Sequence, residues 1–280
     1  MKKTRLPLII VFSFLLSACS TSFVYNNLDW LLYWYLDDYI TLTAEQKSQL
    51  DDRVETWQAW HRAVELPKYQ QQIDQLRNQL QSGPLDQQAW LLVFDEVQQS
   101  AKRLREKIAP ELAELAKQLS PAQVEELLTE WQKNTQERIE RRTNSSPEER
   151  LAERQEERIE EIEDNLGKLT PEQKDIVSSH IKKLKSTFEY RTAYQTRLQG
   201  IVKDLFNHPE DENFSSQLSA LIIDPNQYKT AEHTALSEQN KIQYAQMMAD
   251  LNLTLSTKQK QKLDESLADL SQTIQALVED

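Results

Sequence analysis

Apolar positions recur along this chain at spacings of three and four residues, and four of the runs open with the same five-letter pattern, L-(S/T)-x-x-Q. It appears as LTAEQ (42–46), LSPAQ (119–123), LTPEQ (169–173) and LSTKQ (255–259). The pattern is a capping box. A Ser or Thr at the N-cap accepts from a first-turn N–H, while the Gln three residues on reaches back to the cap's own N–H. Pro121 and Pro171 stand at the first helical position, where a missing N–H costs nothing. Helix starts are therefore expected at Thr43, Ser120, Thr170 and Ser256. Leu50, Leu127, Val177 and Leu263 follow each motif leucine at a common spacing, then Val54, Trp131, Ile181 and Leu267, on one helical face. Trp57, Leu184 and Leu270 extend the set, which Asn134 breaks. A further match, LTEWQ at 128–132, falls inside an expected helix, so the string alone does not mark a start. Two readings stay open: four independently capped helices, or one ancestral unit used four times. The unequal intervals argue against a regular solenoid.

The remaining pattern fills with helices. PKYQQQIDQLRNQLQS stops at Gly83-Pro84, and a long segment from Asp86 to Leu119 is expected to kink at Pro110. Between residues 134 and 165 the composition turns almost wholly ionic. SSPEE restarts a helix at Ser146, with a thin stripe of Leu151, Ile159, Ile162 and Leu166 spaced like a coiled-coil seam. Residues 121–166 read as a charged antiparallel hairpin projecting from the body. A long helix is expected from Gly167 to about Phe206, interrupted only at Gly200. Loops follow at NHPEDENF and IIDPNQY, then two closing helices, the last carrying Leu263, Leu267, Leu270, Ile274 and Leu277. Three glycines in 280 residues leave few turns, and the Gln, Leu, Glu and Lys content favours helix nearly everywhere. The expected fold class is all-α: an extended multi-helix bundle of about nine helices with a projecting charged helical hairpin, in a single domain over residues 28–280.

The first residues read as targeting rather than structure. MKKTR is followed by a short apolar run that ends in Leu16-Ser17-Ala18-Cys19, which resembles a bacterial lipobox. The resemblance implies cleavage between Ala18 and Cys19 and acylation of Cys19. Residues 19–27 then form a lipidated N-terminus and short tether, and the membrane becomes a partner through that lipid. Cys19 is the single cysteine, so no disulfide framework competes for it. Ser20, rather than Asp, after the cysteine implies transfer to the outer membrane, with the protein on its periplasmic face. Loss of residues 1–18 removes Lys2, Lys3 and Arg5 from a chain of net charge −12 and leaves −15. Such a surface repels nucleic acid.

The segment FVYNNLDWLLYWYLDDYI (23–40) is the densest aromatic stretch. Asp29, Asp37 and Asp38 exclude a membrane span, since each central Asp costs about 2.5–3.5 kcal/mol on insertion scales. A helix from Leu28 is apolar nearly all round, which fits either a buried first helix or an element shared between two surfaces. The second reading makes Trp30, Tyr33, Trp34, Asp37 and Asp38 a candidate interaction surface, with the rings at headgroup level. Interfacial helices usually carry a basic polar face, and this one carries acids, so the core reading is preferred. A lipobox followed by YNNLDWLLYWYLDDY resembles a family of all-helical proteobacterial lipoproteins of unassigned function, which implies class and location but no activity. The L-T-x-x-Q boxes resemble, more distantly, those of the Spy/CpxP periplasmic chaperones.

Chemistry-bearing patterns are sparse. His61, His180, His208 and His233 lack metal-ligand spacing, and neither a nucleophile elbow nor a phosphate loop is present. No catalytic residue, metal, cofactor or small-molecule substrate is expected. The function read from the sequence is a non-enzymatic, lipid-anchored adaptor or scaffold at the cell envelope, its protein partner unidentified. The alternatives are a periplasmic chaperone or assembly factor, and a cell-wall glycan hydrolase, which would require two convergent buried carboxylates.

Overall fold

All four boxes start helices where the sequence places them. A computed structural model describes residues 24–279, and no strand occurs among them. The described residues form eleven α-helices: α1 Leu28–Leu36, α2 Ala44–Trp60, α3 Leu66–Ser82, α4 Gln87–Ala116, α5 Pro121–Thr143, α6 Pro147–Leu166, α7 Pro171–Lys183, α8 Phe188–Phe206, α9 Phe214–Ile223, α10 Ala231–Leu253 and α11 Thr257–Glu279. Thr43, Ser120 and Thr170 each accept from the Gln three residues on while that Gln accepts from the cap's N–H. Ser256 and Gln259 do the same ahead of α11. Ser146 forms the equivalent box with Glu149.

The boxes also meet in pairs. Gln46 and Gln123 exchange side-chain amide bonds at 3.1 and 2.7 Å, tying the start of α2 to the start of α5. Gln173 and Gln259 do likewise at 3.0 and 2.9 Å, tying α7 to α11. Each glutamine also donates to a backbone carbonyl ahead of its partner's box: Gln46 to Gln118, Gln123 to Thr41, Gln173 to Thr254 and Gln259 to Lys168. The same two-box junction thus occurs twice, once in each half of the chain. This favours repetition of a paired unit over four unrelated caps.

Packing is distributed over several small cores. Ile162, Leu166, Val177, Ile181, Met247 and Leu251 join α6, α7 and α10. Tyr194, Leu198, Phe214 and Leu218 join α8 and α9 to α4 through Ala113. Leu66, Ile274 and Leu277 join α3 to α11, and Trp90, Ala245 and Ala249 join α4 to α10. Each fully buried aliphatic side chain is worth about 1.5–3 kcal/mol. The pair α3 and α11 runs antiparallel, with Ser271 Oγ donating to Asp74 at 2.9 Å and Arg77 to Asp264 at 3.1 Å.

Three features depart from the sequence reading. Residues 121–166 do not form a projecting hairpin: α5 packs on α8, whereas α6 packs on α7 and α11. The thin stripe of α6 is buried, but against α7 and α10 rather than α5. The expected helix from Gly167 to Phe206 is two helices, broken over Leu184–Thr187 and not at Gly200, which lies within α8. The break is held from outside. Asn240 Oδ1 accepts from the Lys185 N–H at 3.0 Å while its Nδ2 donates to the Lys185 carbonyl at 2.9 Å. Conversely, α2 and α3 are joined without interruption through a π-turn at His61–Glu65, where the Leu66 N–H bonds to the His61 carbonyl. Pro67 follows directly; its ring would crowd the carbonyl four residues back in a regular helix, and the wider turn relieves that contact. Helix α4 continues through Pro110.

Candidate interaction surface

The site is built where the chain enters the helical body. Ala18 and Cys19, the expected cleavage and lipidation positions, lie outside the described residues. Immediately after them, Tyr25 and Asn26 are held on the π-turn. The Tyr25 hydroxyl lies 3.0 Å from His61 Nδ1, and its carbonyl accepts from Gln58 Nε2 at 2.6 Å. Arg62 donates to Asn26 Oδ1 at 2.5 Å and covers the Tyr25 ring at 5.3 Å. The π-turn supplies this geometry, because it sets His61 and Arg62 toward the same entering segment. Burial pushes the His61 pKa down, with the Glu65 charge opposing. Glu65 itself is 1% exposed and accepts from Arg103 Nε at 3.0 and 3.2 Å and from Lys68 at 2.7 Å.

Helix α1 is not a core helix: none of its residues is buried, which corrects the preferred sequence reading. Trp30 is 62% exposed, Tyr35 54% and Trp34 40%. The helix leans on α2 through Tyr33, whose hydroxyl donates to the Lys47 carbonyl at 2.9 Å and approaches Asp51 Oδ1 at 2.5 Å. Partial burial first, then the Asp51 bond and charge, raise the Tyr33 pKa well above its ordinary value. Asp37 reaches Lys47 at 4.0 Å; Asp38 is half-buried. The predicted residues therefore divide. Tyr33 and Asp37 attach α1 to α2, while Trp30 and Trp34 face outward. The reason the pattern misled is that an all-apolar helix can be burdened with exposed rings as readily as buried, and only the neighbours decide.

The sequence reading missed a cluster of arginines on α5 and α8. Arg138 and Arg142 stand one turn apart on α5, and Arg191 stands on α8, which packs against it. Arg142 donates to Ser186 Oγ at 2.8 Å and lies over the Phe188 ring at 4.3 Å. Arg138 donates to Thr135 Oγ1 at 3.2 Å. Arg150 donates to the Arg142 carbonyl at 2.9 Å and to that of Ser145, closing the C-terminus of α5. Partial burial, then the charges of Arg150 and Arg154, hold the Arg142 pKa down, Glu189 opposing and Arg191 adding to the effect. Burial and the charge of Arg138 do the same to Arg191. In sequence Arg138 and Arg142 alternate with Glu137 and Glu140, and Arg191 lies on a different segment, so the sequence does not show them together.

Elsewhere, a shallow depression is lined by Glu172, Asp175, Ser179, His180 and Asp250. His180 is buried, with Nε2 2.8 Å from Asp250 Oδ2 and Nδ1 against the Gln243 amide. Both ring nitrogens are thus engaged within the α7–α10 contact. No group of three or more His, Cys, Asp or Glu able to hold a metal ion occurs among the described residues. None of the helices among them is long and apolar enough to cross a membrane.

No curated protein and no solved structure matches the chain. A family model does, over residues 38–234, which include the first three capping boxes and the arginine cluster. The chain belongs to that family, described as a family of unknown function (DUF6279).

Proposed function

We propose that this protein is a lipid-anchored, non-enzymatic adaptor or scaffold on the periplasmic face of the outer membrane. The observation that carries the reading is the clamp on Tyr25 and Asn26. It lies a few residues beyond Cys19, so an acyl anchor there would hold the helical body close to the bilayer instead of on a long flexible linker. Several acyl chains give lasting attachment where one is marginal. A body so held suits a protein that keeps a partner at a defined height above the membrane. The capping-box likeness to Spy/CpxP chaperones lends little to the alternative, because the box glutamines are consumed in joining helices to each other. The hydrolase alternative needs two convergent buried carboxylates. Among the described residues the buried carboxylate is Glu65, and it is engaged by Arg103 and Lys68.

Metabolic labelling with a palmitate analogue tests the anchor: the wild-type chain takes up label, and Cys19→Ala does not. Undiminished lipidation of that variant would sink the assignment. The adaptor reading is tested by adding the protein, at near-stoichiometric amounts, to an unfolded outer-membrane protein. Clear suppression of aggregation would replace adaptor with chaperone.

A further inference from the structure

Helices α5 and α8 meet along two facing stripes. Trp131, Thr135, Arg138 and Arg142 recur at spacings of four and three on α5, and Phe188, Arg191, Gln195 and Gln199 do so on α8, so each set shares one helical face. Bonds at both ends fix the register. Trp131 Nε1 donates to Gln195 Oε1 at 3.0 Å and Gln199 Nε2 to Thr135 Oγ1 at 3.2 Å, while further along α5 Arg142 reaches Ser186 and the Phe188 ring. The two helices are therefore antiparallel, and Arg138 and Arg191 fall at one level between these contacts. Like charges so placed repel unless an opposite charge lies between them. Among the described residues, Arg138, Arg142 and Arg191 make no ion pair with a carboxylate, although the chain carries a net charge of −12; the neighbouring Arg141 pairs with Glu137 at 3.9 Å. The side chain of Arg191 makes no hydrogen bond among them either. Burial, then the charge of Arg138, holds the Arg191 pKa down, in agreement with the register, and Glu189 is an acid that bears on Arg142.

We propose that Arg138, Arg142 and Arg191 form a binding site for a phosphate group, presented by a small soluble ligand or by a lipid headgroup. The phosphate supplies the negative charge that the facing stripes lack. A guanidinium offers its N–H donors as a planar fork. Arg138 and Arg142 each spend an Nη2 donor on a holding bond, to Thr135 and Ser186, and the rest of each fork is left for a ligand. Those bonds and the Phe188 ring orient two of the forks before any ligand arrives, while Arg138 and Arg191 remain exposed to solvent. A phosphate suits three such forks better than a carboxylate does. It brings about two negative charges and oxygens that point in separate directions, whereas a single fork already satisfies a carboxylate. The site goes beyond the reading of Cys19 as a lipid anchor and does not rest on it.

The test titrates inorganic phosphate and pyrophosphate calorimetrically into the full-length protein in nonionic detergent, with ionic strength held constant by chloride. The wild-type protein binds both saturably, one ligand to one chain. Arg138→Gln and Arg191→Gln weaken binding by about tenfold or more, the loss expected of one charge-assisted hydrogen bond. Arg141→Gln, which removes a neighbouring charge that lies off the stripe, binds as the wild type does. Because the Arg191 side chain holds no other group, Arg191→Gln melts no lower than the wild type in chloride, and phosphate raises its melting temperature less. Absence of saturable binding overturns the inference, and so does an equal loss in Arg141→Gln, which would report net charge alone. A lower melting temperature for Arg191→Gln without phosphate would show that this arginine serves the α5–α8 contact, which also removes the site. Dihexanoyl phosphatidic acid, set against dihexanoyl phosphatidylcholine, separates the two sources. Binding of the former tighter than that of inorganic phosphate supports the site as one for a lipid headgroup, and binding no tighter supports it as one for a soluble phosphate.

Discussion

The side chains of Gln173 and Gln259 are joined by two amide hydrogen bonds of opposite sense, 3.0 and 2.9 Å long. Each is at the same time the third residue of a capping box, accepting from the N–H of Thr170 or Ser256. One glutamine therefore ends a helix locally and fixes a second helix at a distance. Gln173 is 1% exposed, whereas Gln46 in the equivalent junction of the other half is only half-buried.

That difference sets the first prediction. Gln173→Ala leaves the buried Gln259 amide without its partner, where an unsatisfied group costs about 1–3 kcal/mol, and also frees the Thr170 N–H of the box, so a total of roughly 2–4 kcal/mol is expected. Gln46→Ala opens a half-buried position through which water reaches the freed groups, and should cost about 1 kcal/mol. Urea unfolding of the two variants checks the order; equal losses would show that the two junctions are not graded by burial.

The capping boxes were legible because they are local: a Ser or Thr, a Gln and a proline within five residues define a helix start without reference to anything else. The pairing of the boxes was not, since it joins residues 77 or 86 positions apart. The same limit explains the aromatic helix. Hydrophobicity all round α1 reads as burial, yet burial requires neighbours, and among the described residues the helix that α1 packs on is α2, met through Tyr33 and Lys47. The ionic stretch reads as a hairpin because its two helices are consecutive. Nothing in residues 121–166 reports that Ile162 and Leu166 meet Met247 and Leu251 instead. The arginine cluster was not legible either, because Arg191 arrives from another helix.

The break between α7 and α8 is a case where no local residue type announces the feature. Asn240 supplies both a donor and an acceptor to the Lys185 backbone. Asn240→Ala should cost about 1–2 kcal/mol and speed hydrogen exchange at the Lys185 amide. Asn240→Asp keeps the acceptor and loses the donor, so its Lys185 amide should remain protected. Protection lost equally in both variants would mean that the asparagine acts by packing and not by bonding.

Burial of Glu65 beneath Arg103 gives a third expectation. Arg103→Met leaves a carboxylate in an enclosed site with only the half-exposed Lys68 as partner, and a loss of roughly 2–4 kcal/mol is expected. Glu65→Leu combined with Arg103→Met removes both charges and should recover much of that loss. A double variant as unstable as the single one in thermal unfolding would show that the pair itself, rather than the uncompensated charge, holds the π-turn against α4.

The pH response near the end of α6 rests on Glu163. Lys168 donates to it at 2.6 Å, the Leu169 N–H at 3.1 Å and Lys174 at 3.0 Å, and these bonds hold its pKa down to about 2 from an ordinary 4.5. A carboxylate with a depressed folded-state pKa stabilises the fold fully above its unfolded value and progressively less as protons bind below it. The contribution is therefore complete above about pH 4.5 and disappears toward pH 2. Glu163→Gln should be less stable than wild type near neutrality, and the gap should close as the pH falls through that window. The closing, followed by unfolding at a series of pH values, distinguishes this carboxylate from the general acid response of a chain rich in glutamate. A gap that stays constant from neutrality down to pH 2 would mean that Lys168 and Lys174 are held at the end of α6 by something other than the Glu163 charge.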